Sequence, residues 1–316
     1  MFKSIKNKRL IQFLVKIFLF ALVVYFLYVQ VQKFDFDKFK SLKIINISFF
    51  ILGIILLVLN WFFEFLKWNE IIQITKIKVE RKIKVKSFLA GILTGFLTPN
   101  LLGNFIGRIY YFPRRERIEI VYLTFFSNAA QFFASIIFGL ISILIIGFPA
   151  DFEIDLSGII VSFISLLILI CLIFYFNLGS LCSIFFKNKK WFSRINFNEE
   201  STAFNFNFQF KQLIISFLRH GVFSFQYFLM LTSFGIKADF VLILLIWQVF
   251  FWSTLIPSLW LGKLGIRESM ALWILGTYTN QLEIVLCSSL ILWFVNQGIT
   301  AIIAFPFFKL ATKKND

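Results

Sequence analysis

Charge is what this sequence has least of. Only 15% of its 316 residues are Asp, Glu, Lys or Arg, against about 25% in an ordinary soluble domain. Hydrophobic residues make up 59%, and mean hydropathy is +0.85. A water-soluble chain of this size cannot bury so much apolar surface around one core. A bilayer accepts it, because its hydrocarbon is itself the apolar solvent. No stretch has soluble-domain composition: the longest polar region, Lys187 to Gln209, is too short for a core of its own.

Metal-binding and catalytic patterns are also missing. Cys171, Cys182 and Cys287 form no CxxC and read as small buried hydrophobes, so neither disulfide nor metal is expected. His220 is the single histidine, has no second ligand nearby, and reads as a polar residue packed between helices. No nucleophile–base pair, phosphate-binding loop, HExxH or DxxD-type cluster occurs. The chain is therefore expected to be neither an enzyme nor a cofactor protein. Its formal charge of +16 does not imply nucleic acid. The basic residues sit in short loops beside apolar runs, which is the positive-inside pattern, and anionic lipid is the expected partner.

What is present is a series of apolar runs. Lys3, Lys6, Lys8 and Arg9 precede a run that continues to about Val31 with no small-x-small cleavage site, so an uncleaved first span is expected. With about 20 apolar residues needed per span, the candidates are Leu10–Val31, Ile47–Leu66, Ile118–Phe148, Ser157–Phe176, Leu213–Phe234 and Ile284–Phe308. The third is over-long and must tilt, bend or emerge. Two more segments, Phe88–Phe112 and Phe240–Tyr278, are apolar but interrupted by Pro and Gly.

Loop charge sets an expected topology. The basic N-terminus, the loop Lys67–Lys86 and the cluster Arg114, Arg115 and Arg117 all belong on the cytoplasmic side. Phe88–Phe112 then cannot cross; it must dip in and return, reversing at Thr98-Pro99-Asn100, where proline disfavours helix. The acidic loop Asp151, Glu153 and Asp155 falls outside. Lys187, Lys189, Lys190, Arg194 and the C-terminal Lys309, Lys313 and Lys314 fall inside. Phe240–Tyr278 is either a second re-entrant hairpin turning near Pro257–Gly265 or two complete spans. The hairpin reading makes residues 10–148 and 157–308 an inverted repeat, a recurring transporter design, with a cytoplasmic connecting loop at 177–211. The expected fold is one all-α polytopic membrane domain, with about six full spans and two broken or re-entrant helical hairpins. Both termini are expected in the cytoplasm of a bacterial inner membrane.

Polar groups inside apolar segments survive only where protein or a water-filled cavity covers them. Four sets stand out. Thr98, Pro99, Asn100, Gly103 and Asn104, with Arg108 a turn beyond, form a break whose free NH groups and guanidinium suit an anion. A helix-ending loop with a snorkelling arginine is the plainer account. Pro257, Gly262, Lys263 and Gly265, followed by Arg267 and Glu268, form a second break. Its charged pair is either a structural bridge or a substrate-positioning group. Ser127, Asn128 and Gln131 share a helix face, with interhelical hydrogen bonding as their expected role. Trp61, Glu64, Lys67 and Trp68 read as an interfacial anchor with an i,i+3 ion pair.

Three blocks resemble the flippase-like transmembrane domain of lysylphosphatidylglycerol synthetases and its stand-alone homologues. Lys67-Trp68-Asn69-Glu70-Ile71-Ile72 resembles the family's Arg-Trp-x-x-Leu-Leu segment. The stretch from Thr98 to Arg108 resembles its Pro-x-x-x-Gly-Glu-x-x-Arg block. Pro257 through Glu268 resembles its Pro-x-x-x-x-Gly-Gly-Leu-Gly-x-Arg-Glu signature. Two departures stand out: the Gly-Glu is Gly103-Asn104 here, and the glycine pair is Gly262-Lys263, which adds a cation. Asn128 and Gln131 stand where charged residues are common in the family. The soluble aminoacyl-transfer domain is absent, so synthetase activity is not expected. The resemblance implies movement or binding of a lipid with an anionic or amphipathic headgroup, by a translocase without its own ATPase. The alternative is a non-transporting scaffold or accessory subunit for an envelope-lipid enzyme.

Overall fold

The computed structural model describes residue 37 and residues 42–75, 77–98, 102–147, 158–186, 206–257 and 263–307. The expected first span Leu10–Val31, the acidic loop at 151–155, the basic residues at 187–194 and the C-terminal lysines lie outside the described residues. So do Pro99, Asn100 and Gly262. Among the described residues the secondary structure is helical, with no strands.

The helices are α1 (Ile47–Ile74), α2 (Arg81–Phe96), α3 (Gly103–Ile109), α4 (Arg117–Ile146), α5 (Gly158–Phe186), α6 (Phe206–Ser233), α7 (Phe240–Leu255), α8 (Ile266–Leu275) and α9 (Leu282–Trp293). α9 runs on through a π-helical turn, Phe294–Ile299, into Thr300–Ala304, which is α10. Five segments are long and apolar enough to cross a membrane: α1, α4, α6, Ile160–Cys182 of α5, and Leu282–Ala304. The outer face of α5 shows why a membrane is required: Phe163, Leu166, Leu169, Ile170, Ile173 and Phe174 are all exposed. An apolar surface this continuous needs an apolar solvent.

Most helices outrun the spans expected from hydropathy. α1 continues past Leu66 to Ile74 because Trp68, Ile71 and Ile72 are buried against Phe88, Leu89 and Leu93 of α2. α4, at 30 residues, is about 45 Å long and exceeds the hydrocarbon layer, as its over-long run implied. The loop expected at 177–211 is shorter than that, since α5 extends to Phe186 and α6 begins at Phe206.

α1 and α6 form the central antiparallel pair. Gln212 Nε2 donates to the Lys67 carbonyl, Arg219 Nε to Asn60, and Gln226 Nε2 to the Gly53 carbonyl. The pairing closes at Ser233, whose carbonyl accepts from the Ile45 and Asn46 amides. Asn46 then caps α1, its side chain accepting from the Phe49 amide.

Both interrupted segments are antiparallel helical hairpins. In the first, α2 and α3 hold 16 and 7 residues, each shorter than the roughly 20 a span requires. Gly103 and Gly107 let their backbones touch: a Cβ would stand 2.1 Å from the Thr94 carbonyl oxygen at Gly103, and 2.3 Å from that of Ala90 at Gly107. Thr98 ties the break, its hydroxyl donating to the Thr94 carbonyl and accepting from the Gly103 amide. In the second hairpin, Asp239 caps α7 and accepts from Tyr278 beyond α8, at 2.5 Å, so both arms begin and end together. At the other end Lys263 Nζ donates to the Ser253 carbonyl. Phe240–Tyr278 reverses direction within itself, a course that the expected re-entrant hairpin and the expected pair of complete spans share.

Each hairpin has its own apolar core: Phe88, Leu93, Leu123 and Phe126 around the first, and Leu245, Val249, Leu272 and Leu292 around the second. Each also crosses to the other half of the chain. α7 packs along α4, and α2 packs on α10. This exchange packs the two halves of the chain against each other on both sides of the α1–α6 pair.

Two measurements check this arrangement. Gly107→Val should drive a side chain into the Ala90 carbonyl and lower stability by about 1–3 kcal/mol, read as a fall in the thermal midpoint in detergent. In a cysteine-free background, Lys82→Cys and Arg114→Cys flank the first hairpin and should share one response to an impermeant thiol reagent, both being shielded in intact cells. Labelling of only one of them would mean that the hairpin crosses.

Candidate functional site

The two hairpins meet at a cavity of about 290 Å³. α1 contributes Trp61, Glu64 and Lys67. The first hairpin contributes Phe88, Gly91, Ile92, Gly95 and Asn104. α4 adds Asn128, Gln131, Phe132 and Ser135, and α6 adds Arg219. Thr254 and Lys263 come from the second hairpin, and Asn296, Gln297 and Thr300 from the π-helical turn and α10. A π turn widens the helix and turns its side chains off the usual register, a distortion frequent at functional sites.

One carboxylate organises the cavity. Glu64 Oε1 accepts from Arg108 at 2.7 Å, and its Oε2 lies 3.1 Å from Arg219. Arg108 is fully buried behind the cavity wall, with its guanidinium 5.0 Å from the Trp68 ring. Its Nε and Nη1, and the Asn104 side-chain oxygen, have no hydrogen-bond partner among the described residues. Lys67 is 1% exposed and lines the cavity, with no ion pair within 4 Å among the described residues. Lys263 adds a fourth cation. Three of these cations gather about the single carboxylate and Lys263 lines the same cavity, a formal surplus of three positive charges in a low-dielectric interior.

A buried polar chain leads away from Glu64. Arg219 donates to Asn60 at 2.9 Å and to Gln131 at 3.3 Å, and Asn60 donates to Asn296 at 2.7 Å. Asn296 donates to Gln226 at 3.0 Å, and Gln226 to the Gly53 carbonyl at 2.8 Å. The chain fixes the cation Arg219 and ties the π turn to the α1–α6 pair. Such satisfied networks make an interior rigid and specific.

Of the residues singled out in the sequence, Asn104, Asn128 and Gln131 line the cavity, and Arg108 joins it through Glu64. Thr98 and Gly103 build the first break instead of facing the cavity, and Pro257 follows the end of α7. Arg267 and Glu268 form a closed network of their own. Arg267 donates to the Ser289 carbonyl at 2.6 Å and to Glu268 at 2.8 Å, and Glu268 accepts from the Gly265 amide at 2.7 Å. This network caps α8 and fastens it to α9. Glu64 and Lys67 make no ion pair with each other, because Glu64 already bridges two arginines. Arg219, Asn60, Gln226 and Asn296 were not singled out, although a polar side chain within an apolar run is the signal that would have found them.

Lys263 stands out on backbone grounds as well. Its φ of +69° is the only positive value at a non-glycine among the described residues. This left-handed conformation costs an L-residue about 1–2 kcal/mol, and glycine occupies it without penalty.

The family described as Lysylphosphatidylglycerol synthase TM region matches residues 13–304. The chain belongs to this family. The match takes in every described helix that builds the cavity, and membership agrees with the five apolar candidate spans in making this a multi-pass membrane protein. No curated protein matches the chain.

A direct test of the site's electrostatics follows from the shared carboxylate. Glu64→Gln leaves two guanidiniums without their counter-charge, and breaking a buried pair from one side costs about 3–5 kcal/mol. A thermal midpoint close to wild type in detergent would contradict the role given to Glu64.

Proposed function

We propose that this protein is a lipid translocase, one that takes the anionic part of a lipid headgroup into the cavity between its two hairpins and releases it on the opposite leaflet. The observation that carries the reading is the surplus of positive charge at that cavity, enclosed in a molecule whose outer surface is apolar. Membership in a family named for a lipid-modifying enzyme's membrane region supports a link to lipid handling. A headgroup is polar and its tails are apolar, so a polar cavity inside an apolar bundle lets the two parts travel in different surroundings. Broken helices near the centre of an inverted pair are the usual place for such a site.

In this reading Arg219 holds the headgroup phosphate from the cavity wall. Glu64 shares its charge with Arg219, and with Arg108 behind that wall, before the lipid arrives. The protein itself carries out no bond-making chemistry and works beside an envelope-lipid enzyme. It sits in the bacterial inner membrane with both termini in the cytoplasm, and each hairpin dips into the bilayer and returns.

The test is reconstitution into vesicles with headgroup-labelled fluorescent lipid, reading the label that becomes accessible to a membrane-impermeant quencher. Wild type should speed the exchange. Arg108→Lys and Arg219→Lys keep charge but lose the planar fork, and should slow it by about tenfold or more while the protein stays folded. A wild-type protein that speeds no exchange is a scaffold and not a translocase.

A further inference from the structure

We infer that the cavity selects a headgroup with at least two negative charges, of the phosphate monoester or diphosphate class, and that Lys263 sets this selection. The inference rests on the cavity being a headgroup site, as proposed above, and it goes further by naming the charge class and the residue that determines it.

The first argument is charge. A phosphodiester carries one negative charge and would leave most of the surplus on Lys67, Arg108, Arg219 and Lys263 uncompensated. A phosphate monoester carries about −1.5 to −2 near pH 7 and offers three strong acceptor oxygens. A zwitterionic or aminoacylated headgroup would bring an ammonium into a site already rich in cations, with only Glu64 to receive it. Glu64 is committed on both oxygens.

The second argument is strain, and it concerns Lys263 alone. A structural residue in a left-handed turn is best as glycine, and the flanking residues Gly262 and Gly265 show that glycine is used in this segment. Lysine at φ +69° works against the fold at the break. Lys263 nevertheless lines the cavity, and its ammonium has one neutral partner, the Ser253 carbonyl at 2.9 Å. That single bond could be made by many side chains in other conformations. A cation held at local cost, beside a site already rich in positive charge, is explained by a ligand that needs the extra charge. The polar wall agrees, since Asn104, Asn128 and Gln131 offer amide donors and no additional carboxylate.

The experiment uses the full-length chain in detergent at fixed salt, with native mass spectrometry giving apparent Kd values for matched-chain phosphatidic acid, phosphatidylglycerol and phosphatidylethanolamine. Phosphatidic acid should bind at least about tenfold tighter than phosphatidylglycerol, with phosphatidylethanolamine weakest. Lys263→Gly and Lys263→Gln should both shrink that preference to a few-fold or less, and Lys263→Arg should keep it. Lys263→Gly should also raise the thermal midpoint, since it removes the strained conformation while Lys263→Gln does not. A purely structural lysine predicts the reverse: a lower midpoint in the glycine variant and an unchanged preference, and this result overturns the inference.

Inorganic phosphate added in millimolar excess separates the sources of the chemistry. Displacement of phosphatidic acid would assign recognition to the phosphate itself, and no displacement would assign it to phosphate and acyl chains together. Either result supports the dianion reading. Equal affinity for phosphatidic acid and phosphatidylglycerol refutes the inference and leaves the headgroup site standing. Failure to bind any of the three lipids removes the headgroup site, and the inference falls with it.

Discussion

The fold depends on a carboxylate that two arginines share. Charges in a low-dielectric interior are tolerated only with partners, and Glu64 partners Arg108 from the first hairpin and Arg219 from the opposite half. This joins α1, α3 and α6 at one point, which is also the wall of the cavity. The position of the first hairpin, the orientation of Arg219 and the start of the polar chain through Asn60 and Asn296 all follow from it. Because both oxygens of Glu64 are used, the remaining positive charge is left to face the cavity.

The hairpins solve a second constraint. A backbone break inside an apolar layer exposes NH and carbonyl groups that lipid cannot satisfy. The first hairpin meets this with close backbone contact at Gly103 and Gly107 and with the Thr98 hydroxyl. The second meets it with the Glu268 cap, the Arg267 bonds to Ser289 and the Lys263 bond to Ser253. The two hairpins also contribute walls to the polar cavity, through Gly91, Gly95 and Asn104 of the first and Thr254 and Lys263 of the second. The exterior remains apolar, as on α5.

Much of this was legible in the linear chain. Long apolar runs report spans directly, and the break expected within Phe88–Phe112 falls between α2 and α3. Polar residues in apolar runs led to Asn104, Arg108, Asn128 and Gln131, all at or beside the cavity. The same rule, applied to Arg219, Asn60 and Asn296, would have found the rest of the network. Glu64 was misassigned for a clear reason: its i,i+3 neighbour Lys67 offers a local ion pair, and nothing in the sequence says that two distant arginines offer better ones. Arg267 was overweighted for the opposite reason, since a charged pair opening a helix after glycines looks the same whether it faces a ligand or, as here, Ser289.

By itself, the sequence determined that this chain lives in a membrane, roughly where it crosses, and where its helices break. Those properties follow from hydropathy, loop charge and proline or glycine, all of which act within about 20 residues. Only the tertiary structure decided which polar groups share a cavity. Residues 64, 108 and 219 come from helices far apart in sequence, and 263 from a break farther still. Their meeting depends on the antiparallel contact of α1 with α6 and on each hairpin crossing to the opposite half. Buried charge is governed by distance in space, since the energy of a charge pair varies inversely with its separation. No spacing along the chain encodes that distance before the halves pack.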